Sequence, residues 1–522
     1  METMSFWGAI LVAAGPLLLG AMALVPRRWA NANARRMAIL STGASALVFV
    51  AALLASLMMA LRGRIEYSYA AWGPFELGIY FDALSAAMLL LVSFIGAIVT
   101  RFSVNYLAGE PEQGRFFKWL CATLGAVLTL VVAGNLLMLT LAWIATSLCL
   151  HKLLTFYSHR PLALLAARKK FIISRLGDLC LIGVVALTYR VFGSWEFGVL
   201  FRKAQQMAEN GTANSSVATI CLLLVAGAML KSAQFPFHSW LPDTMETPTP
   251  VSALMHAGII NAGGFLLIRL SPLVTLSPLS LDVLTFVGAF TALFASFVML
   301  TQASIKRNLA FSTVAQMGFM MLQCGLGAFS VAVLHIVAHS MYKAHAFLSS
   351  GSAVKNLKTP AAPQSVPIRV LTLSLATSLL MVCATGWAFG VSLQKEPQIW
   401  VLGAIFTFAA TQLLSGLWQS RRLAFAGFAL ALAMSVGYFA LHEVSKFLLS
   451  PALPHSLSSP TALRWILLSL VVAMFGGVLV WQSQLPKWIA QPWCRKLYVH
   501  ARNGFYFNTL ANRAVQTLWP VR

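Results

Sequence analysis

About fifteen apolar runs follow one another along the chain, each close to the ~20 residues needed to cross ~30 Å of hydrocarbon as a helix. They lie near 5–25, 37–61, 81–100, 116–134, 136–157, 171–189, 216–236, 250–271, 279–300, 308–326, 328–350, 368–393, 399–418, 422–442 and 462–482. Inside a bilayer no water satisfies peptide groups, so such runs must close their own hydrogen bonds. The expected fold class is therefore an all-α polytopic membrane protein with about 15 transmembrane helices. Of 522 residues, 59% are hydrophobic and 10% charged. A soluble chain carries about a quarter charged residues, so an ordinary soluble enzyme is excluded.

Lys plus Arg number 37 and Asp plus Glu 14, a formal net charge of +23. The basic residues sit in short clusters between apolar runs, which is the positive-inside pattern and not a nucleic-acid surface. The clusters are Arg27, Arg28, Arg35 and Arg36; Arg115 and Lys118; Arg160, Arg168, Lys169 and Lys170; Lys306 and Arg307; Lys355 and Lys358; Arg421 and Arg422. Lys487, Arg495, Lys496, Arg502, Arg513 and Arg522 continue them in the tail. Falling on alternate loops, they predict an outside (periplasmic) N-terminus and a cytoplasmic C-terminus in the cell inner membrane. Glu2 precedes the first run and Arg27 follows it, the reverse of a cleaved signal's charge order. A polar linker at 349–366, with Pro360 and Pro363, separates a larger from a smaller part. Beyond 483, Trp488, Trp493, Tyr498, Phe505, Tyr506 and Phe507 among basic residues predict a cytoplasmic interfacial tail. No soluble domain of any size is expected. The seven cysteines form no CxxC or Cys/His ligand spacing, and GxGxxG and Walker loops are missing. The expectation is a transport chain without cofactor or metal of its own, drawing energy from an ion gradient or a partner.

A charge at mid-membrane costs several kcal/mol, so those present mark function. Asp178 is the one acid well inside an apolar run, while Asp82 and Glu443 stand near span edges. Lys231 follows a long apolar stretch, and Pro236 interrupts the helix five residues later. A broken helix lines polar cavities, and a lysine there can take up and release a proton. The bland alternative is a structural lysine paired once with Asp178. His335, His339 and Lys343, at i, i+4 and i+8, share one helix face over ~12 Å as a ladder of proton carriers. A metal site on the histidine pair lacks a Glu or Cys partner nearby. His256 can relay between Lys231 and the ladder, or be a satisfied core histidine. Arg269, Lys152 and His151, near span ends, read as snorkelling or anchoring groups, and His238 and His345 as weaker candidates still. Gly177, Gly263 and Gly264 read as close-packing positions.

The segment KSAQFPFHSWLPDTMETPTPVSALMHAG resembles the signature of the proton-pumping antiporter-like subunits of respiratory complex I and of the Mrp cation/proton antiporters. QASIKRNLAFSTVAQMGFM and HIVAHSMYKAHAFLSSGS resemble further signatures of that family, and RFSVNYLAGEPEQGRFF and SRLGDLCLIG resemble its L-type branch. The resemblance, clear from about residue 70 to 350, implies two five-helix units of inverted topology, each with a broken helix. They would occupy 116–271 and 277–418, after N-terminal helices at 1–115 and before C-terminal helices at 422–482 and the tail at 483–522. It implies that Lys231 is the channel lysine, that His256 and the His335, His339 and Lys343 ladder carry protons onward, and that Asp178 is an acidic member of the path. Three departures stand out. Ile144 occupies the fifth-span place where the family's pumps carry a Glu, and no lysine precedes Lys395 near the second break. Nothing after 482 fits the long lateral helix of the L-type subunit. This combination is similar to the membrane subunits of an inorganic-carbon (CO2/bicarbonate) accumulation system. That similarity implies a soluble zinc β-carbonic-anhydrase-like partner on the cytoplasmic side, with the zinc in that partner. Alternatives are a pumping subunit of a complex I-like NADH/quinone oxidoreductase, an Mrp-type antiporter subunit, and a non-conducting membrane anchor.

Overall fold

Apolar runs closed by Gly, Pro or Asn become helices throughout the computed structural model, which describes residues 2–73, 75–353, 365–392, 396–417, 421–454 and 461–519. Lys355, Lys358, Pro360, Pro363, Lys395 and Arg522 lie outside the described residues, as do the side chains of Glu2, Arg421 and Arg422. The chain opens with α1 (Glu2–Leu24), the short α2 (Arg27–Ala32) and α3 (Ala34–Arg62). The hairpin β1 (Ile65–Trp72) and β2 (Phe75–Phe81) follows, then α4 (Ala83–Tyr106), α5 (Gln113–Val132), α6 (Leu136–Leu154), α7 (Pro161–Phe192), α8 (Phe197–Asn210) and α9 (Ser215–Lys231). Short pieces include α10 (Trp240–Asp243) and lead to α11 (Thr249–Ala257), α12 (Ala262–Arg269) and α13 (Ser271–Val274). Next come α14 (Pro278–Met299), α15 (Ile305–Leu326), α16 (Phe329–Leu348) and α17 (Ser350–Ala353). The last part holds α18 (Ile368–Ala388), α19 (Pro397–Leu417), α20 (Arg421–Leu449) and α21 (Ala462–Trp488), then α22 (Pro492–Arg502) and α23 (Phe507–Leu518).

The protein is a predominantly helical, multi-pass membrane protein with one β-hairpin. Among the described residues 13 helical segments are long and apolar enough to cross a bilayer, not fifteen. Two of the expected runs fall short for different reasons. Helix α9 stops at Lys231 after 17 residues, because the chain breaks ahead of Pro236. Helix α16 has the length but carries four basic side chains, His335, His339, Lys343 and His345, which pull its hydropathy down. The run at 250–271 is itself divided into α11 and α12, with Gly258 between them.

Three features escaped the periodicity reading. The first is the hairpin, whose eight- and seven-residue strands pair antiparallel from Ile65↔Phe81 to Trp72↔Phe75. Gly73, at φ 59°, supplies the turn. It packs onto the helix ends through a bridge between Ile79 and Ala133 and a bond from Gly134 N to Gly78 O. The second is amphipathic α8, which buries Phe197, Leu200 and Ala204 at helical spacing. The third corrects a boundary: α7 starts at Pro161, so Lys169 and Lys170 are not loop residues but lie inside the helix, both buried. Helix α21 likewise continues to Trp488, past the 482 read from composition.

Helices α14 and α15 touch backbone to backbone. A Cβ on Gly288, Gly318 or Gly325 would lie 2.4–2.5 Å from a backbone nitrogen of the facing helix. Such close approach lets helices pack where lipid offers no hydrophobic drive. The main core runs from α1 to α16, and a second cluster joins α14, α15 and the start of α16 to α18–α21.

Candidate functional site

The break after α9 positions the central amine. Lys231 is the last residue of α9, and Ser232 follows outside the helix. Its Nζ donates to Ser147 Oγ on α6 at 2.8 Å and stands 4.4 Å from the Trp143 ring centroid. Asp178, on α7, is buried, but its carboxylate lies 2.6 Å from Arg175 one turn earlier. Asp178 and Lys231 are thus on separate partners, and the fixed pairing of the bland alternative is not formed in this structure. Arg175 takes the carboxylate because i and i+3 positions adjoin on one helix face. Lys170 enters from the same helix and donates to the Ser147 carbonyl at 3.1 Å. Composition concealed Ser147, Lys170, Arg175 and Trp143: Lys170 read as a loop charge, and the others lay inside expected spans with nothing to single them out.

The next group is His256 at the end of α11, wholly buried. Its Nδ1 meets Thr313 Oγ1 of α15 at 3.0 Å, and its ring stacks on Phe347 with centroids 4.4 Å apart. Nε2 has no partner. Across from it α16 carries the ladder. The His335 and His339 rings are 6.0 Å apart, each with an unpartnered Nε2, and Lys343 Nζ donates to Leu309 O at 3.2 Å. His339 and Lys343 are buried, while His335 is partly exposed. Asn261, in the break between α11 and α12, bonds Ala257 O and Ser340 Oγ and so ties that break to α16. His256, His339 and Lys343 lie within electrostatic reach of one another. Buried imidazole nitrogens without a protein partner are unusual, and ordered water commonly fills that role.

Two further clusters frame the path. Arg269 does not snorkel: it is buried and makes a two-pronged pair with Asp82, at 2.6 and 2.9 Å, plus a bond to Ser85 Oγ. Burial pushes the Asp82 carboxyl up, but the Arg269 charge and hydrogen bonds outweigh it and hold the group below its ordinary value. At the opposite end of α7, Lys169 Nζ bonds Asp243 at 2.6 Å and Asn508 at 2.5 Å, and Asn508 bonds Asp243 at 2.9 Å. Phe507 packs on Phe235, 4.8 Å between centroids. The tail thus covers the break that follows Lys231. Of the close-packing glycines, Gly263 faces Ser232 and the Ala228 carbonyl and Gly264 faces Met320, whereas a Cβ at Gly177 would meet only ordinary contacts.

Glu396, His442 and Glu443 put one ligand atom each within 4.8 Å of one another, the one such cluster among the described residues. The Lys446 ammonium already sits on Glu396, so a metal would have to displace it.

Residues 133–390 match the profile of the NADH:quinone oxidoreductase/Mrp antiporter membrane family, and residues 72–117 that of the complex I chain 5 N-terminus. The probable inorganic carbon transporter subunit DabB2 of Halothiobacillus neapolitanus is 36% identical over 98% of this chain and 94% of its own length. The corresponding DabB of Hydrogenovibrio crunogenus is 36% identical over 84% of this chain and 83% of its own. Among solved structures, an Mrp complex from a Dietzia species superposes with a TM-score of 0.62 at 22% identity, covering 98% of this chain and 59% of that one. Fold and relatives together define a membrane transport subunit of the antiporter-like class, not an enzyme. The chain belongs to the NADH:quinone oxidoreductase/Mrp antiporter family and, within it, to the DabB group.

Proposed function

We propose that this chain is the ion-conducting membrane subunit of an energy-coupled inorganic carbon pump. Protons, or sodium ions in the same role, run down their gradient through it and drive a bound zinc β-carbonic-anhydrase-like (DabA-like) subunit to hydrate CO2 to bicarbonate in one direction. The zinc and the hydration chemistry belong to that partner. The observation that carries the reading is the buried succession of Lys231, His256, His339 and Lys343, with Asp178 beside its start. An anchor that conducts nothing has no reason to bury those groups at their cost. In this reading the N-terminus is periplasmic, the tail and the partner are cytoplasmic, and the membrane is the cell inner membrane, as the basic loops imply.

Asp178, held by Arg175, and Lys231, held by Ser147, are free to exchange partners as a proton arrives. His256 then passes the proton toward α16, where His339, His335 and Lys343 take it up. The relatives named as inorganic carbon transporter subunits support this substrate over quinone. A complex I-like pump is the second reading, favoured by the match of residues 72–117 to the complex I profile. Ile144, where such pumps carry a glutamate, weighs against it.

The test is bicarbonate accumulation in cells carrying Lys231→Ala. The expected result is loss of accumulation with the membrane complex still assembled, and full retained accumulation would remove Lys231 from the mechanism. A pull-down of the tagged chain with metal analysis separates the readings: one large zinc-bearing soluble partner supports the carbon pump, and iron–sulfur subunits support the complex I alternative.

A further inference from the structure

Two buried lysines meet at one serine. Lys231 reaches Ser147 Oγ from α9, and Lys170 reaches the Ser147 carbonyl from α7. All three residues are less than a tenth exposed. Among the described residues neither amine has a carboxylate within 4.0 Å. Asp178 is the carboxylate within electrostatic reach of both, and it is already paired with Arg175. The remaining groups that face the pair are Trp143, Cys149 and His151 from α6, which bring no negative side chain, and Arg175 from α7. Three cationic side chains thus share one carboxylate in a water-poor interior, where an uncompensated charge is costly. The surplus falls from two positive charges to one if the two amines hold one proton between them.

We propose that Lys170 is a second proton-carrying residue and that Lys170 and Lys231 form a station, bridged by Ser147, that holds one proton and passes it from one amine to the other. The inference rests on the proton-conducting reading above and adds a residue to it. In the transfer an N–H bond of the Lys231 ammonium breaks and one forms at neutral Lys170. The Ser147 hydroxyl takes the first proton from Lys231 and, turning toward Lys170 on the neighbouring carbonyl, releases its own to that amine, so total charge is unchanged and no other reactant enters. A neutral amine accepts a proton as a carboxylate does, so Lys170 supplies the acceptor that Ile144 does not. Its neighbour Lys169 is bonded to Asp243 and Asn508. The station therefore lies beside the face covered by the tail and gives the proton an exit toward it.

The test uses the full-length protein, and its first readout is independent of transport. Net charge at pH 7 is read from electrophoretic mobility in neutral detergent for wild type, Lys170→Met, Lys231→Met and the exposed control Lys496→Met. The control should lose one positive charge. Each station variant should lose close to none, since the remaining amine keeps the shared proton, and a full unit lost from Lys170→Met would overturn the station. The second readout is proton flux into vesicles. Lys170→Met should slow it at least about tenfold, the scale of a lost proton carrier. Lys170→Arg should slow it as much, because arginine keeps its proton. Rescue by Arg would assign Lys170 a merely structural charge and sink the proposal. If wild-type vesicles carry no proton current at all, the conducting reading fails, and the charge count still decides whether the amines share a proton.

Discussion

Lys231 and Asp178, the amine and the acid of the first half-path, are not bonded to each other: Lys231 Nζ is 2.8 Å from Ser147 Oγ, and the Asp178 carboxylate is 2.6 Å from Arg175. Each holds a neutral or competing partner, so the pair has two arrangements available. A switch of this kind needs groups whose alternative contacts are close in energy.

Arg175→Gln removes the competitor and leaves the buried carboxylate with Lys231 as its remaining cationic partner of choice. The expected result is a static Asp178–Lys231 pair and slower ion flux into vesicles, with expression and assembly retained. Asp178→Asn should slow flux too, since Lys231 then has no acid to move toward. Unchanged flux in both variants would show that Asp178 lies off the path.

The Asp82–Arg269 pair fastens the hairpin end of α4 to the end of α12, with Ser85 as third member. Removing one member of a buried pair strands the other, at about 3–5 kcal/mol. Arg269→Ala should lower the thermal unfolding midpoint clearly in detergent. The double variant Asp82→Leu with Arg269→Met should recover much of the loss, because no buried charge is then left alone. Equal midpoints for Arg269→Ala and wild type would show that the pair contributes nothing.

Helices were legible in the sequence because twenty-residue apolar runs admit no other structure in a bilayer. The break at Lys231 was legible for the same kind of reason: Pro236 cannot continue a helix. What the sequence concealed was depth. Lys169, Lys170 and Arg269 stand beside polar residues at span ends, and hydropathy alone reads such cations as solvated or snorkelling. Their burial comes from tertiary partners far along the chain, Asp243 and Asn508 for Lys169 and Asp82 for Arg269, which no local window contains. The hairpin was hidden because its strand residues alternate over only a few positions before a long apolar helix. Ser147 shows the same limit within the site: a small hydroxyl in an apolar helix gives no signal until two lysines are seen to converge on it.

Glu396 stands outside the spans, between α18 and α19. The facing His442 imidazole holds its carboxyl down at about 2, against the upward push of burial and together with the Lys446 ammonium. A depressed carboxyl contributes stability that is fully present above its unfolded value of 4.5 and is lost as pH falls toward about 2. Wild type should therefore lose stability faster than Glu396→Gln across that window. Parallel pH profiles from thermal unfolding would refute the linkage.

Two glycines set a contrast in packing. A methyl on Gly263 would fall 2.4 Å from Ser232 Oγ and 2.5 Å from the Ala228 carbonyl, whereas one on Gly177 would meet nothing nearer than 3.6 Å. Overpacking of this sort costs about 1–3 kcal/mol. Gly263→Ala should lower the unfolding midpoint and disturb the turn after Lys231, and Gly177→Ala should leave both unchanged. Similar behaviour of the two variants would show that the helices yield freely there.

The His335 and His339 centroids are 6.0 Å apart, which leaves more than a hydrogen-bond length between even the nearest ring atoms. A proton crossing that gap needs water between the rings, and both Nε2 atoms are unpartnered and ready to hold it. Lys343, by contrast, is anchored on the Leu309 carbonyl. His339 stands between His335 and Lys343 on one helix face and within electrostatic reach of His256, while His335 stands at the end of the ladder. His339→Gln keeps an amide that bonds water but cannot carry a proton, so it should cut flux at least about tenfold. His335→Gln should cut it less. Flux in vesicles measures both, and a larger loss at His335 than at His339 would reverse the order of the path.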